Sequence, residues 1–144
     1  MTPRQITLVQ DSFAAVRDDA DTAAALFYQR LFARQPSLRA LFADDMGEQR
    51  RRVMQMIGVG VSHLQCVEAV LPALRDLGRR HVGYGVREDD YGTVGAVLLE
   101  TLALALGARF DDEMRDAWVA AYGLLAGAMM AGAGDGMVAE SAAA

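Results

Sequence analysis

The sequence predicts an all-α domain, six or more helices of unequal length crossed around an internal cavity. Three observations lead there. Apolar residues recur every three to four positions in successive segments, and no segment sustains period-two alternation. Pro3, Pro36 and Pro72 all stand at breaks or first turns rather than inside an apolar stripe. Two polar residues, Gln49 and His81, fall on stripes that are otherwise apolar, and each asks for a partner inside.

The elements follow in order. Thr2-Pro3 with Gln5 forms a capping-box start, and Ile6, Val9, Phe13 and Val16 give the first helix one apolar face. The second runs from about 21 to 34, with Ala24, Tyr28, Leu31 and Phe32 on one side; Pro36 then opens a short helical turn ending near Leu41-Phe42. After the polar turn "ADDMGEQ", a third long helix buries Val53, Met56, Ile57, Gly60, Val61 and Leu64, with Gln49 at the start of that face. Gly58 and Gly60 each cost about 1 kcal/mol in mid-helix, which points to close approach of a neighbour. Pro72 begins the next helix, whose stripe is Val70, Leu74, Leu77 and His81. "GYGVREDDYG" is a loop leading to a helix start, with Asp89 and Asp90 at the positive helix end. Two long helices complete the domain over residues 1–132, about 90 to 106 and 111 to 132, and 133–144 reads as a disordered tail.

Composition narrows the function classes. The chain has 144 residues, 53% hydrophobic and 23% charged, with net charge −5, which disfavours nucleic acid and anionic lipid as partners. One cysteine, Cys66, removes disulfide scaffolds and zinc clusters and suits a cytoplasmic location. Residues 117–134 carry no charge and approach membrane-spanning length, but they are rich in Ala and Gly with no basic flank. A core helix is expected there, without membrane insertion.

A histidine on an apolar stripe is most often a core residue satisfied locally. His81 departs from that pattern. It closes a helix packed with Leu74 and Leu77, and one ring nitrogen can donate to a carbonyl one turn back, near Leu77, freeing the other as a metal donor. No zinc or di-iron ligand set accompanies it. One protein ligand suffices where a macrocycle supplies the rest, as haem does. His63 stands about 21 Å along the helix axis from Gln49 and is expected at the surface, away from that pocket.

At these residues the chain resembles the globin family, most closely single-domain bacterial haemoglobins, the haem module of flavohaemoglobins and neuroglobin. The likeness runs from about residue 5 to 130, carried by "LFYQRLFARQPSLRALF", "EQRRRVMQMIG", "LGRRHVGYGV", "YGTVGAVLL" and "AWVAAYG" in that order. It implies a globin fold of six to eight helices around haem b (iron protoporphyrin IX), with His81 as the iron ligand. Phe42 is implied to stack on the haem and Val53 to lie over the iron. Leu77, Val86, Tyr91, Val94 and Leu125 are implied to line the haem, with Arg52 and Arg80 near its propionates. Tyr28 and Gln49 are implied as the pair that donates hydrogen bonds to dioxygen.

One departure stands out. Flavohaemoglobin-like globins pair a tyrosine, matched by Tyr91, with a glutamate that polarises the ligand histidine. That acidic position, fifteen residues after Trp118, is Ala133 here. The resemblance therefore implies reversible binding of dioxygen and other diatomic gases (carbon monoxide, nitric oxide), for storage or transport. The alternatives are nitric oxide dioxygenation with an external reductase, since no flavin or nicotinamide domain is expected within this length, and gas sensing through a partner protein.

Overall fold

The capping box at the first helix is present: Thr2 Oγ1 accepts from the Gln5 amide at 3.1 Å, and Gln5 Oε1 accepts from the Thr2 amide at 3.0 Å. In the computed structural model, backbone is described for residues 1–143 and side chains for residues 1–134. Side chains of the expected disordered tail over 133–144 are thus described at its first two positions only. Six α-helices follow one another: α1 (Pro3–Arg17), α2 (Ala20–Arg34), α3 (Gly47–Ser62), α4 (Leu71–Gly83), α5 (Glu88–Leu106) and α6 (Asp112–Ala143). Short 3₁₀ turns at Pro36–Leu41, Leu64–Ala69 and Gly107–Arg109 join them, and no strand occurs among the described residues.

Helix boundaries follow the local chemistry. α5 begins at Glu88, two residues before the sequence places it, and gathers Glu88, Asp89 and Asp90 in its first turn. Its last residue precedes Gly107, whose φ of +59° stops the helix. At the start of α6, Asp111 accepts from the Met114 amide at 2.9 Å. The backbone of α6 continues past residue 132, where the sequence closes it.

Two apolar clusters hold these helices together. One joins α1, α5 and α6 through Val9, Phe13, Leu102, Leu106 and Trp118. The other joins α2, α3 and α5 through Phe27, Leu31, Val53 and Val97. Gly58 and Gly60 meet the neighbours their positions call for: a Cβ would lie 3.3 Å from the Phe13 ring and 2.8 Å from the Leu125 side chain. α4 touches the rest of the fold chiefly along α6. By length and composition α5 and α6 could each cross a membrane, yet Val97 and Trp118 are buried in the core.

One buried polar contact crosses the first cluster. Trp118 Nε1 donates to Ser12 Oγ at 2.9 Å, and the Ser12 hydroxyl in turn donates to the Leu8 carbonyl at 2.7 Å. Removing only the donor, in Trp118→Phe, is expected to cost about 1–2 kcal/mol. Trp118→Ala also empties the site and is expected to cost about 3–5 kcal/mol. Urea unfolding of the two variants separates the terms, and equal losses would mean that the indole contributes no packing.

Candidate functional site

The stretch "HVGYGV" ends α4 in a way that sets His81. Gly85 has φ +90°, its amide donates to the Val82 carbonyl at 3.1 Å, and the Val86 amide donates to the His81 carbonyl at 3.0 Å. This is the Schellman arrangement, and its left-handed position favours glycine. One turn earlier, the Leu77 carbonyl lies 2.7 Å from His81 Nδ1. A carbonyl only accepts, so the proton resides on Nδ1 and Nε2 keeps its lone pair. Burial holds the His81 pKa below the ordinary histidine value, opposed by the Leu77 hydrogen bond and aided by the nearby Arg80 charge. The half-buried ring is thus a neutral base with one free nitrogen.

Across the cavity from α4, α2 and α3 bring a second polar pair together. Gln49 Nε2 donates to the Tyr28 hydroxyl oxygen at 3.0 Å, leaving the hydroxyl proton for another acceptor. Tyr28 is 5% exposed, and burial pushes its pKa up, partly offset by the Gln49 bond, so it stays protonated. Its ring is held edge-on by Phe27 at 5.0 Å and Phe42 at 5.5 Å between centroids.

These residues face one cavity of about 200 Å³. Tyr28, Gln49 and Val53 form one wall, with Phe42 at its edge. His81, Val86, Tyr91, Val94 and Leu125 belong to the same lining. Three sequence-predicted residues lie outside it. Leu77 is half-buried beside the cavity; Leu74 and His81, seven positions apart, share the facing line of α4 and turn Leu77 to its flank. Arg52 pairs with Glu48 at 2.7 Å, and Arg80 with Asp76 at 3.4 Å; both guanidinium side chains are more than half exposed. His63 is half-buried rather than at the surface, bonded to the Val59 carbonyl at 2.8 Å and absent from the cavity. A larger groove of about 780 Å³ runs past Arg17, Arg50 and Arg51 and holds none of the predicted site residues.

Sequence reasoning missed several lining residues. Leu98 stands four after Val94, and Tyr122 and Met129 flank Leu125 at three before and four after, so helical spacing alone would have found them. Asp90 had no such signal: it is 6% exposed, accepting from Gln35 Nε2 at 3.0 Å and from the Arg87 amide at 2.8 Å. It ties the start of α5 to the end of α2. Beside it, the Tyr91 hydroxyl is buried with no hydrogen-bond partner among the described residues, while the Tyr91 carbonyl accepts from the Tyr122 hydroxyl. Among the described residues no cluster of three or more His, Cys, Asp or Glu could hold a bare metal ion.

Comparison with known proteins agrees with this geometry. The globin family pattern matches residues 25–129. The flavohemoprotein of Bordetella parapertussis is 30% identical over 129 residues, covering 88% of this chain and 32% of that protein. A Deinococcus radiodurans flavohemoprotein is 31% identical over 133 residues, covering 90% and 33%. The chain therefore spans about a third of the length of the curated relatives it matches. Among solved structures, a Campylobacter jejuni bacterial globin superposes with TM-score 0.84 at 24% identity, over 93% of this chain and 97% of that one. An engineered carbene transferase, built on a proposed nitric oxide dioxygenase from Rhodothermus marinus, gives TM-score 0.87 at 21% identity, over 98% and 99%. These two likenesses show the shared fold. The chain belongs to the globin family, and that membership implies haem binding.

Proposed function

We propose that this globin binds haem b through His81 and holds dioxygen reversibly against Tyr28 and Gln49. One observation carries the reading: His81, whose Nδ1 is taken by the Leu77 carbonyl, and the Tyr28–Gln49 pair line the same cavity. The residues fit the group. Phe42, Val53, Val86, Val94 and Leu125 offer an apolar lining to a flat macrocycle, and the buried Tyr91 hydroxyl marks a polar need left unmet among the described residues. Haem, when bound, would supply an iron that a single imidazole can hold and that can take a diatomic gas.

The chain's own groups account for the rest. His81 enters as a neutral ligand whose tautomer and ring orientation are set by the Leu77 carbonyl. Tyr28, with its free hydroxyl proton, and Gln49, with its remaining amide proton, would donate to a diatomic ligand that carries negative charge. Each such bond is worth about 1–3 kcal/mol. Val53, 7% exposed, keeps that corner apolar and limits water. With Ala133 in place of an acid, the carbonyl of Leu77 is the acceptor for Nδ1, which leaves His81 less anionic than a carboxylate partner would make it. That favours holding dioxygen over activating it. Arg52 and Arg80 are exposed and paired with carboxylates on their own helices.

A second reading is nitric oxide dioxygenation, favoured by the flavohemoprotein relatives. It requires electrons from an external reductase at each turnover. Carbon monoxide and nitric oxide belong to both readings as ligands.

His81→Ala is expected to abolish stable haem retention, read as loss of the Soret band after gel filtration. Tyr28→Phe and Gln49→Leu are expected to keep haem and speed dioxygen release roughly 5- to 100-fold in stopped-flow measurements. Unchanged release rates in both would remove the distal assignment. For the second reading, nitric oxide loss with a competent reductase present must exceed that of free haem; equal rates leave only reversible binding.

A further inference from the structure

The His81 ring takes its orientation from its own helix. Its hydrogen bond goes to the Leu77 carbonyl, and its carbonyl receives the Val86 amide just past the helix end. No other hydrogen bond to the ring occurs among the described residues. Where α4 sits, the ring sits. Since α4 is held chiefly by α6, the seat of α4 on α6 decides how far His81 reaches toward the Tyr28–Gln49 wall.

That seat is built from two glycines that face each other's backbones. A Cβ placed on Gly78 would lie 2.6 Å from the Met129 carbonyl carbon and 2.9 Å from its Cα, with the carbonyl oxygen closer still. On the opposing helix, a Cβ on Gly132 would lie 2.5 Å from the Arg75 carbonyl carbon and 2.6 Å from its Cα. The obstructing atoms are main chain in both cases, which no rotamer change can move. The contacts are reciprocal: Arg75 and Gly78 are three apart on α4, as Met129 and Gly132 are on α6. Other helical glycines behave differently. Gly60 and Gly95 meet side chains, and Gly123, Gly127 and Gly134 on α6 have open space. The seam is therefore particular to the level of His81, three residues after Gly78 and so on nearly the same side of α4.

We propose that Gly78 and Gly132 are positioning residues: their backbone-to-backbone seam fixes the depth at which His81 meets the cavity. Resting on the haem reading above, the inference adds what sets the ligand's reach. A methyl group on either glycine forces the helices apart, by about 1 Å or more if ordinary contact distances are restored. His81 travels with α4. A displacement of that order is large beside the tolerance of a coordinate bond, while the Tyr28–Gln49 wall, carried by α2 and α3, stays put.

The test compares Gly78→Ala and Gly132→Ala with Gly123→Ala, which makes the same chemical change where nothing stands nearby. In haem-free protein, the His81 ring resonances in NMR are expected to shift in the first two variants and to match the parent in the third. In haem-loaded protein, the ferrous iron–histidine stretching band is expected to move, and haem loss to quicken at least 10-fold, again only in the first two. Should Gly78→Ala fail to fold, Gly132→Ala carries the comparison with both readouts. Parental ring resonances, stretching band and haem retention in a folded Gly78→Ala or Gly132→Ala protein overturn the proposal. So does an equal change in Gly123→Ala. A parent that takes up no haem sinks the functional reading alone, because the haem-free NMR comparison still decides the seam.

Discussion

The site depends on one short hydrogen bond, from His81 Nδ1 to the carbonyl of Leu77. It settles which nitrogen carries the proton, and so which nitrogen has a lone pair to offer. A ring turned over, or protonated at both nitrogens, would present a donor where an acceptor of metal is needed. The acceptor is a carbonyl already fixed by helix geometry, four residues back, so the arrangement requires no distant partner. Burial reinforces it by disfavouring the imidazolium. The Schellman close at Gly85 then ends the helix directly after the ring and turns Val86 into the same cavity.

An apolar cavity that keeps polar groups is costly unless they serve something. Here Tyr28 and Gln49 satisfy each other only in part, since one amide proton and the hydroxyl proton remain to be given. The Tyr91 hydroxyl has no partner among the described residues. Hydrocarbon in these places would make a more stable core of the same volume. A sequence that departs from that solution in three neighbouring places is specifying a ligand rather than a packing.

Much of this was legible in the chain. Helical class, the capping box at Thr2 and the stops at Pro36 and Gly107 all follow from short-range chemistry, and the six helices appear in the expected order. His81 and Gln49 could be picked out because each is a polar interruption of a periodic face. Tyr28 was different, since tyrosine on a buried stripe is unremarkable by itself, and only likeness to globins singled it out. What stayed hidden depends on contacts between distant segments. The pairing of Asp90 with Gln35 joins residues 55 positions apart, and nothing near either one announces it. Leu77 shows the limit from the other side: periodicity put it on the stripe, but the rotation of α4 on α6 decides which residues of a stripe meet the cavity. Arg52 and Arg80 entered only through the likeness to globins, and nothing in the sequence announces that acidic neighbours on their own helices pair with them.

The two walls of the cavity are held by different physics. On the α2–α3 side, aromatic and aliphatic side chains interlock, with Phe27, Phe42 and Val53 around Tyr28. Such packing relaxes in small steps when a side chain changes, so hydrogen-bond strength there can be altered one substitution at a time. On the α4–α6 side, main chain meets main chain at Gly78 and Gly132, and no intermediate size exists between hydrogen and methyl. That contact is all or none. Each glycine lowers helix stability by about 1 kcal/mol relative to alanine, a penalty without local compensation, as neither position needs a positive φ. The compensation is therefore in the depth of the contact itself. On the function proposed, a protein arranged this way would vary how tightly it grips a gas while His81 stays at one fixed height.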